Sequence, residues 1–123
     1  MLQVTNHSTI YMASTHIDFR KGIDGICAIC RNQININPLE GAIFLFYNRL
    51  RNAIKILSYD GQGFWLCSKR LSQGSFIWKS RIRQASNNQQ LTAQLICYRI
   101  LHVMINNGDD INFAKNWRNL DPT

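Results

Sequence analysis

The sequence predicts an α/β (α+β) domain: a small antiparallel meander of three to four strands, packed with an N-terminal helix and a long C-terminal helix. Three observations predict it. Apolar or alternating runs at residues 42–48, 53–59 and 64–71 are separated by turns of four residues, which suit antiparallel neighbours and are too short for crossover helices. Apolar residues recur at helical spacing over residues 19–33, and again over 91–106. With 123 residues, 46% of them hydrophobic, residues 1–123 are expected to form a single domain.

Each element has its own signal. "TIYMA" (9–13) reads as a short strand. Asp18 is placed to cap a helix from about Phe19 to Gln33, because a short carboxylate accepts orphan N–H groups of a first turn. Ile23, Ile26, Cys27, Cys30 and Ile34 form that helix's apolar stripe, and Pro38 and Gly41 close it. Gly22 and Gly25 stand three apart, on one face, where they would admit a close neighbour. "AIFLFYN" is a continuous apolar run, "RLRN" a turn with two arginines, and "AIKILSY" an alternating strand with Lys55 opposite Ile54 and Ile56 in facing. In "DGQG" (60–63), Asp60 can bond to turn backbone, and Gly61 and Gly63 tolerate positive φ. "FWLCSKRL" is a third strand of the meander, and "SFIWK" a fourth short one. Residues 80–90, "SRIRQASNNQQ", read as a polar linker before the long helix. Phe44, Phe46, Trp65 and Trp78 are the expected aromatic core, since a small domain needs its large rings inside.

Charge is uneven. The chain carries +7, and residues 20–83 hold Arg20, Lys21, Arg31, Arg49, Arg51, Lys55, Lys69, Arg70, Lys79, Arg81 and Arg83 against only Asp24, Glu40 and Asp60. A positive middle attracts polyanions, DNA among them. Arg20, Lys21, Arg49, Arg51, Lys69, Arg70, Arg81 and Arg83 are the candidate phosphate contacts, acting by charge and hydrogen bonding rather than by reading bases.

Other chemistries fare worse. Cys27 and Cys30 form a CxxC inside a helical stripe, where small thiols serve as core, and no second pair completes a zinc set. His7, His16 and His102 share no motif spacing, although His16 could touch phosphate. Asp18, Asp24 and Asp60 are the acids that a metal-dependent nuclease would use; each has a local explanation as cap, i,i+4 partner of Arg20, or turn residue. Neither a nucleotide-type glycine loop nor GxSxG occurs. No catalytic residue, metal or cofactor is therefore assigned. A polar N-terminus and the lack of a long apolar run point to a cytoplasmic protein with no membrane partner.

Two blocks carry a family resemblance. In "THIDFRKGIDGI", Asp18, Arg20, Lys21, Gly22, Asp24 and Gly25 fall on a motif in which methionine usually stands where Phe19 is. The second block matches at Phe46, Asn48, Arg49, Lys55, Leu57, Asp60, Gly61, Gly63, Lys69, Arg70, Leu71, Gly74, Phe76 and Trp78. Together they cover residues 10–79, and "LTAQL" is a shorter version of a third block. The chain resembles the TnpB-type accessory proteins, second open-reading-frame products, of the bacterial insertion-sequence sixty-six family. That resemblance implies a non-enzymatic accessory role in DNA transposition, beside a separate transposase that does the strand chemistry. It makes the cognate transposase an expected partner, together with DNA. The alternative is a protein–protein adaptor, with a homo-oligomer or transposase contact made through the apolar C-terminal helix around Leu101.

Overall fold

The computed structural model describes residues 4, 5, 7–76 and 91–107. Trp78, Lys79, the 80–90 linker with Arg81 and Arg83, and the C-terminal tail lie outside these residues. Five strands form one sheet: β1 (Ile10–Ala13), β2 (Ile43–Tyr47), β3 (Ala53–Tyr59), β4 (Phe64–Arg70) and β5 (Ala93–Ile96), in the order β4-β3-β2-β1-β5. Two helices accompany them, α1 (Ile23–Ile29) and α2 (Tyr98–Asn107). No described helix is long and apolar enough to cross a membrane.

The meander is present as β2, β3 and β4, antiparallel throughout. The sheet is nonetheless mixed, because β1 lies parallel to β2 with Ile10 opposite Ile43. The long connection through α1 permits this, as parallel neighbours need a crossover. Placed at the centre of this mixed sheet, β2 has both faces covered. All five of its residues are buried, which is why "IFLFY" runs apolar without alternation.

The expected long C-terminal helix is corrected. Residues 93–96 instead extend along β1, antiparallel, with Ala93 opposite Ala13 and Ile96 opposite Ile10. Helix α2 begins only at Tyr98. The stretch "LTAQLI" satisfies both periods, since Leu91, Ala93 and Leu95 also alternate. The open hydrogen-bonding edge of β1 decides between them, because its buried backbone groups require partners. One consequence is that Leu95 remains 58% exposed.

The first helix is shorter than its stripe suggests. It starts at Ile23, with Gly22 as an N-cap that makes no side-chain bond, so Asp18 is not the cap. It continues as a π turn, Cys30–Ile34, and ends at Asn35 in the left-handed region. Gly22 and Gly25 admit no strand: a Cβ at Gly22 would meet nothing, and one at Gly25 would meet the Lys21 side chain at 3.1 Å. Ser75 and Phe76 are not in a strand, so the fourth meander strand is not found within the described part of "SFIWK".

The core has one layer on each face. On the α1 face, Ile26, Cys27, Ile29 and Cys30 pack with Ala13, Phe44, Phe46, Leu57 and Leu91. On the α2 face, Ile100 and Leu101 pack with Ile10, Met12, Leu45, Ile54 and Phe76. Phe44 and Phe46 are fully enclosed, as expected; truncating either to alanine would cost about 3–5 kcal/mol. Trp65 is a correction: its ring is 42% exposed on the edge strand β4, where its indole N–H bonds to Asp60. The CxxC thiols are core. Burial pushes Cys27 up and Cys30 up to about 12, which leaves both as protonated apolar filler at neutral pH.

Candidate nucleic-acid interface

Parallel pairing puts the carboxyl ends of β1 and β2 on the same edge of the sheet. There β3 begins and β4 ends, with Ala53 opposite Arg70. Segments 14–20, 48–52 and 69–71 therefore meet along one edge, although they are far apart in sequence.

The 48–52 turn is tightly specified. Asn48 Oδ1 accepts from the N–H groups of Asn52 (3.0 Å) and Ala53 (3.1 Å), and its Nδ2 donates to Asn52 Oδ1 at 2.6 Å. Arg51 N–H donates to the Asn48 carbonyl at 3.0 Å, which closes a β-turn. Arg51 sits at φ 57°, a conformation costing a non-glycine residue about 1–2 kcal/mol. Neighbouring bonds offset that: the Arg51 carbonyl accepts from Phe76 N–H, and the Asn52 carbonyl from Leu71 N–H at 2.8 Å. The Arg51 guanidinium lies 5.5 Å from the Tyr47 ring centroid.

The segment after β1 is fixed by a second set of bonds. Ser14 N–H donates to the Thr92 carbonyl, Ser14 Oγ accepts from Thr92 N–H, and Tyr47 Oη donates to the Ser14 carbonyl. Ile17 N–H donates to the Tyr47 carbonyl at 3.0 Å. Asp18 then turns onto Arg20. It accepts from Arg20 N–H at 2.9 Å and pairs with the guanidinium at 2.7 Å. Those bonds hold the Asp18 carboxyl down at about 2. Arg20 is thus paired with Asp18, not with Asp24. Lys55 reaches up from β3: its Nζ donates to the carbonyls of Phe19 (2.7 Å) and Lys21 (3.2 Å) and lies 5.0 Å from the Phe19 ring centroid. The "DFRKG" stretch is a strap tied to the sheet by a lysine.

Between strap and turn lies a cleft of about 480 Å³, with His16 to Phe19 on one wall and Asn48 to Leu50 on the other. The candidate cations are arranged around it unequally. Arg49 lines the cleft, and Arg20 and Lys21 are exposed on the strap. By strand alternation Arg70 points to the α1 face, as Leu66 does, and Lys69 to the α2 face, as Cys67 does. Arg51 turns towards Tyr47, part of the α2-side core.

The Asp60 turn is not part of this edge. It lies at the far end of β3 and β4, where Tyr59 pairs with Phe64. Asp60 Oδ1 accepts from the N–H groups of Gln62 (2.8 Å) and Gly63 (2.9 Å), and Oδ2 from Trp65 Nε1 at 2.8 Å. These bonds lower its carboxyl to about 2, and Gly61 supplies the positive φ, 96°. Asp18 and Asp60 are at opposite ends of the sheet and cannot share an ion. Among the described residues no three His, Cys, Asp or Glu side chains converge to hold one.

Sequence reasoning gave no role to two residues that build this edge, Lys55 and Asn48. Lys55 was expected only to face away from Ile54 and Ile56, yet it anchors the strap. A lone lysine within an apolar alternating strand, on a face otherwise buried, was the available signal for Lys55.

The comparisons bear on what such an edge serves. The family described as IS66 Orf2 like protein matches residues 8–104. Two relatives from Sinorhizobium fredii (strain NBRC 101917 / NGR234) are both named as uncharacterized proteins. The protein y4hO is 34% identical over 65% of this chain and 70% of its own length, and y4jC is 32% identical over 56% and 59%. No solved structure matches the chain. With the family match spanning both blocks, the cleft and the edge, the chain belongs to the IS66 Orf2-like family, which is associated with transposition of insertion sequences.

Proposed function

We propose that this protein is a non-enzymatic accessory factor for transposition, which holds DNA, or the transposase–DNA complex, through the basic edge. The observation that carries the reading is that the three segments bearing Arg20 and Lys21, Arg49 and Arg51, and Lys69 and Arg70 lie at one end of the sheet, with Lys69 and Arg70 on its opposite faces. Guanidinium and ammonium groups presented on strand ends and turns suit phosphate contact, which positions a duplex without reading its sequence. Arg81 and Arg83 belong to the same proposal through the sequence alone.

Fluorescence anisotropy of a labelled duplex at several salt concentrations tests it. Each phosphate contact adds about 0.9 to the slope of log affinity against log salt. Arg49→Ala and Arg70→Ala should each lower the slope by about one contact. Absence of binding at low salt would refute direct DNA contact. The adaptor alternative rested on the apolar C-terminal helix. Ile100 and Leu101 of that helix are buried in the chain's own core, so Leu101→Asp would unfold the domain rather than separate two copies.

A further inference from the structure

We infer that Leu50 is an apolar wedge that enters a DNA duplex between base steps while Arg49 and Arg51 hold phosphates on either side. This rests on the basic-edge reading and adds a mode of engagement to it. Leu50 is 75% exposed, more than any other large hydrophobic side chain among the described residues. It stands at the third position of the turn 48–51, between two arginines.

The turn is built to hold that side chain out. Three bonds from Asn48 and the Arg51–Asn48 turn bond fix its backbone, and Arg51 keeps a left-handed conformation. Its base is clamped by Phe76 N–H and Leu71 N–H. A loop free to relax would fold its leucine onto nearby apolar surface. This one keeps it in water on a rigid knuckle.

The flanking charge selects the occupant. Arg49 lies on the cleft side and Arg51 on the Tyr47 side, so an apolar tip is bracketed by two cations. A greasy protein pocket would have to desolvate both arginines. A duplex offers phosphates to both and a stacked apolar interior to the leucine. Leucine is among the side chains that proteins insert between base steps, unstacking and kinking the helix.

The test uses the full chain and a short duplex carrying 2-aminopurine beside a TpA step, the kind of step most easily unstacked. Wild type should raise 2-aminopurine fluorescence severalfold on binding. Leu50→Ala should bind with the same salt slope but lose the rise, and Leu50→Phe should keep it. Circular dichroism should be unchanged in both variants, since the side chain touches solvent. An equal rise with Leu50→Ala, or binding without any rise in wild type, overturns the wedge while leaving the basic edge standing. No binding by wild type at low salt overturns both. If Leu50→Ala abolishes capture of the transposase but leaves the duplex signal intact, Leu50 is a protein contact and the wedge is wrong.

Discussion

Lys55→Met isolates the tether on which the strap depends. The substitution keeps the length and most of the volume of the side chain and removes its ammonium group. Lys55 makes one short bond to a partly buried carbonyl, Phe19 O at 2.7 Å. A hydrogen bond to a charged group is worth about 1.5–3 kcal/mol net. The longer bond to Lys21 O, 3.2 Å and exposed, adds little because water replaces it readily. The ammonium over the Phe19 ring contributes about 0.5–1 kcal/mol, part of which a thioether recovers. The expected loss is about 2 kcal/mol. For a domain of this size that is about 6–10 °C in Tm. Urea unfolding should show a lower midpoint with an unchanged slope, since the core is untouched. A second readout is DNA affinity, which should fall because Arg20 and Lys21 ride on the strap. A stability loss below about 0.5 kcal/mol would refute the tether, and the strap would then be held by Ile17 and Phe19 packing and by the Ile17 N–H bond to the Tyr47 carbonyl.

Four further outcomes follow from the same geometry. Asn48→Ala leaves two turn N–H groups without their acceptor and should destabilise by about 2–3 kcal/mol in urea unfolding, with Asn48→Asp recovering part of it. Asp60 has a folded value of about 2 against an ordinary 3.8, so its stabilisation is complete above about pH 4 and is lost as pH falls through the folded value; Asp60→Asn should flatten the acid limb of a stability–pH curve between those values. Native-state thiol labelling with mass readout should modify the half-buried Cys67 and Cys97 while sparing Cys27 and Cys30, which should react only on unfolding. Among single arginine-to-alanine variants, Arg49 and Arg70 should weaken DNA binding most, and Arg20 less because Asp18 already neutralises part of its charge.

The meander was legible because its signals are local. Four-residue turns join its strands, and "DGQG" places a carboxylate and a left-handed glycine where the turn needs them. The CxxC thiols were legible as core from their place in the α1 stripe. Pairing between distant segments was not legible. Nothing in "TIYMA" states that it lies parallel to β2, or that "AQLI" will extend beside it; both depend on which edges remain open after the meander forms. Asp18 misled for a related reason. An acid before an apolar stripe has the pattern of a cap, yet an arginine two positions on offers a competing partner that also supplies its own N–H. The clustering of cations was visible as composition. The meander already sets the 48–52 turn beside Lys69 and Arg70, but the arrival of Arg20 and Lys21 at the same end follows from the parallel β1–β2 pair, so it could not precede knowledge of the topology.

The edge also has an electrostatic logic. The segments at this end of the sheet carry seven cations, Lys55 included, whose like charges repel, and a small domain has little stability to spare. The structure tempers this with partners that do not erase the charge of the whole. Asp18 takes Arg20, the Tyr47 ring takes Arg51, and two backbone carbonyls take Lys55. Carbonyls and ring faces orient a cation without neutralising it, so the positive field survives where a carboxylate would have cancelled it. The one carboxylate used, Asp18, is on the strap wall of the cleft, across from Arg49, and its charge is taken up by Arg20. A surface meant only to be soluble would intersperse acids among these bases. Under the DNA contact proposed above, Arg51, oriented on the neutral Tyr47 ring, would meet a phosphate with its charge intact and little ordering left to do on binding.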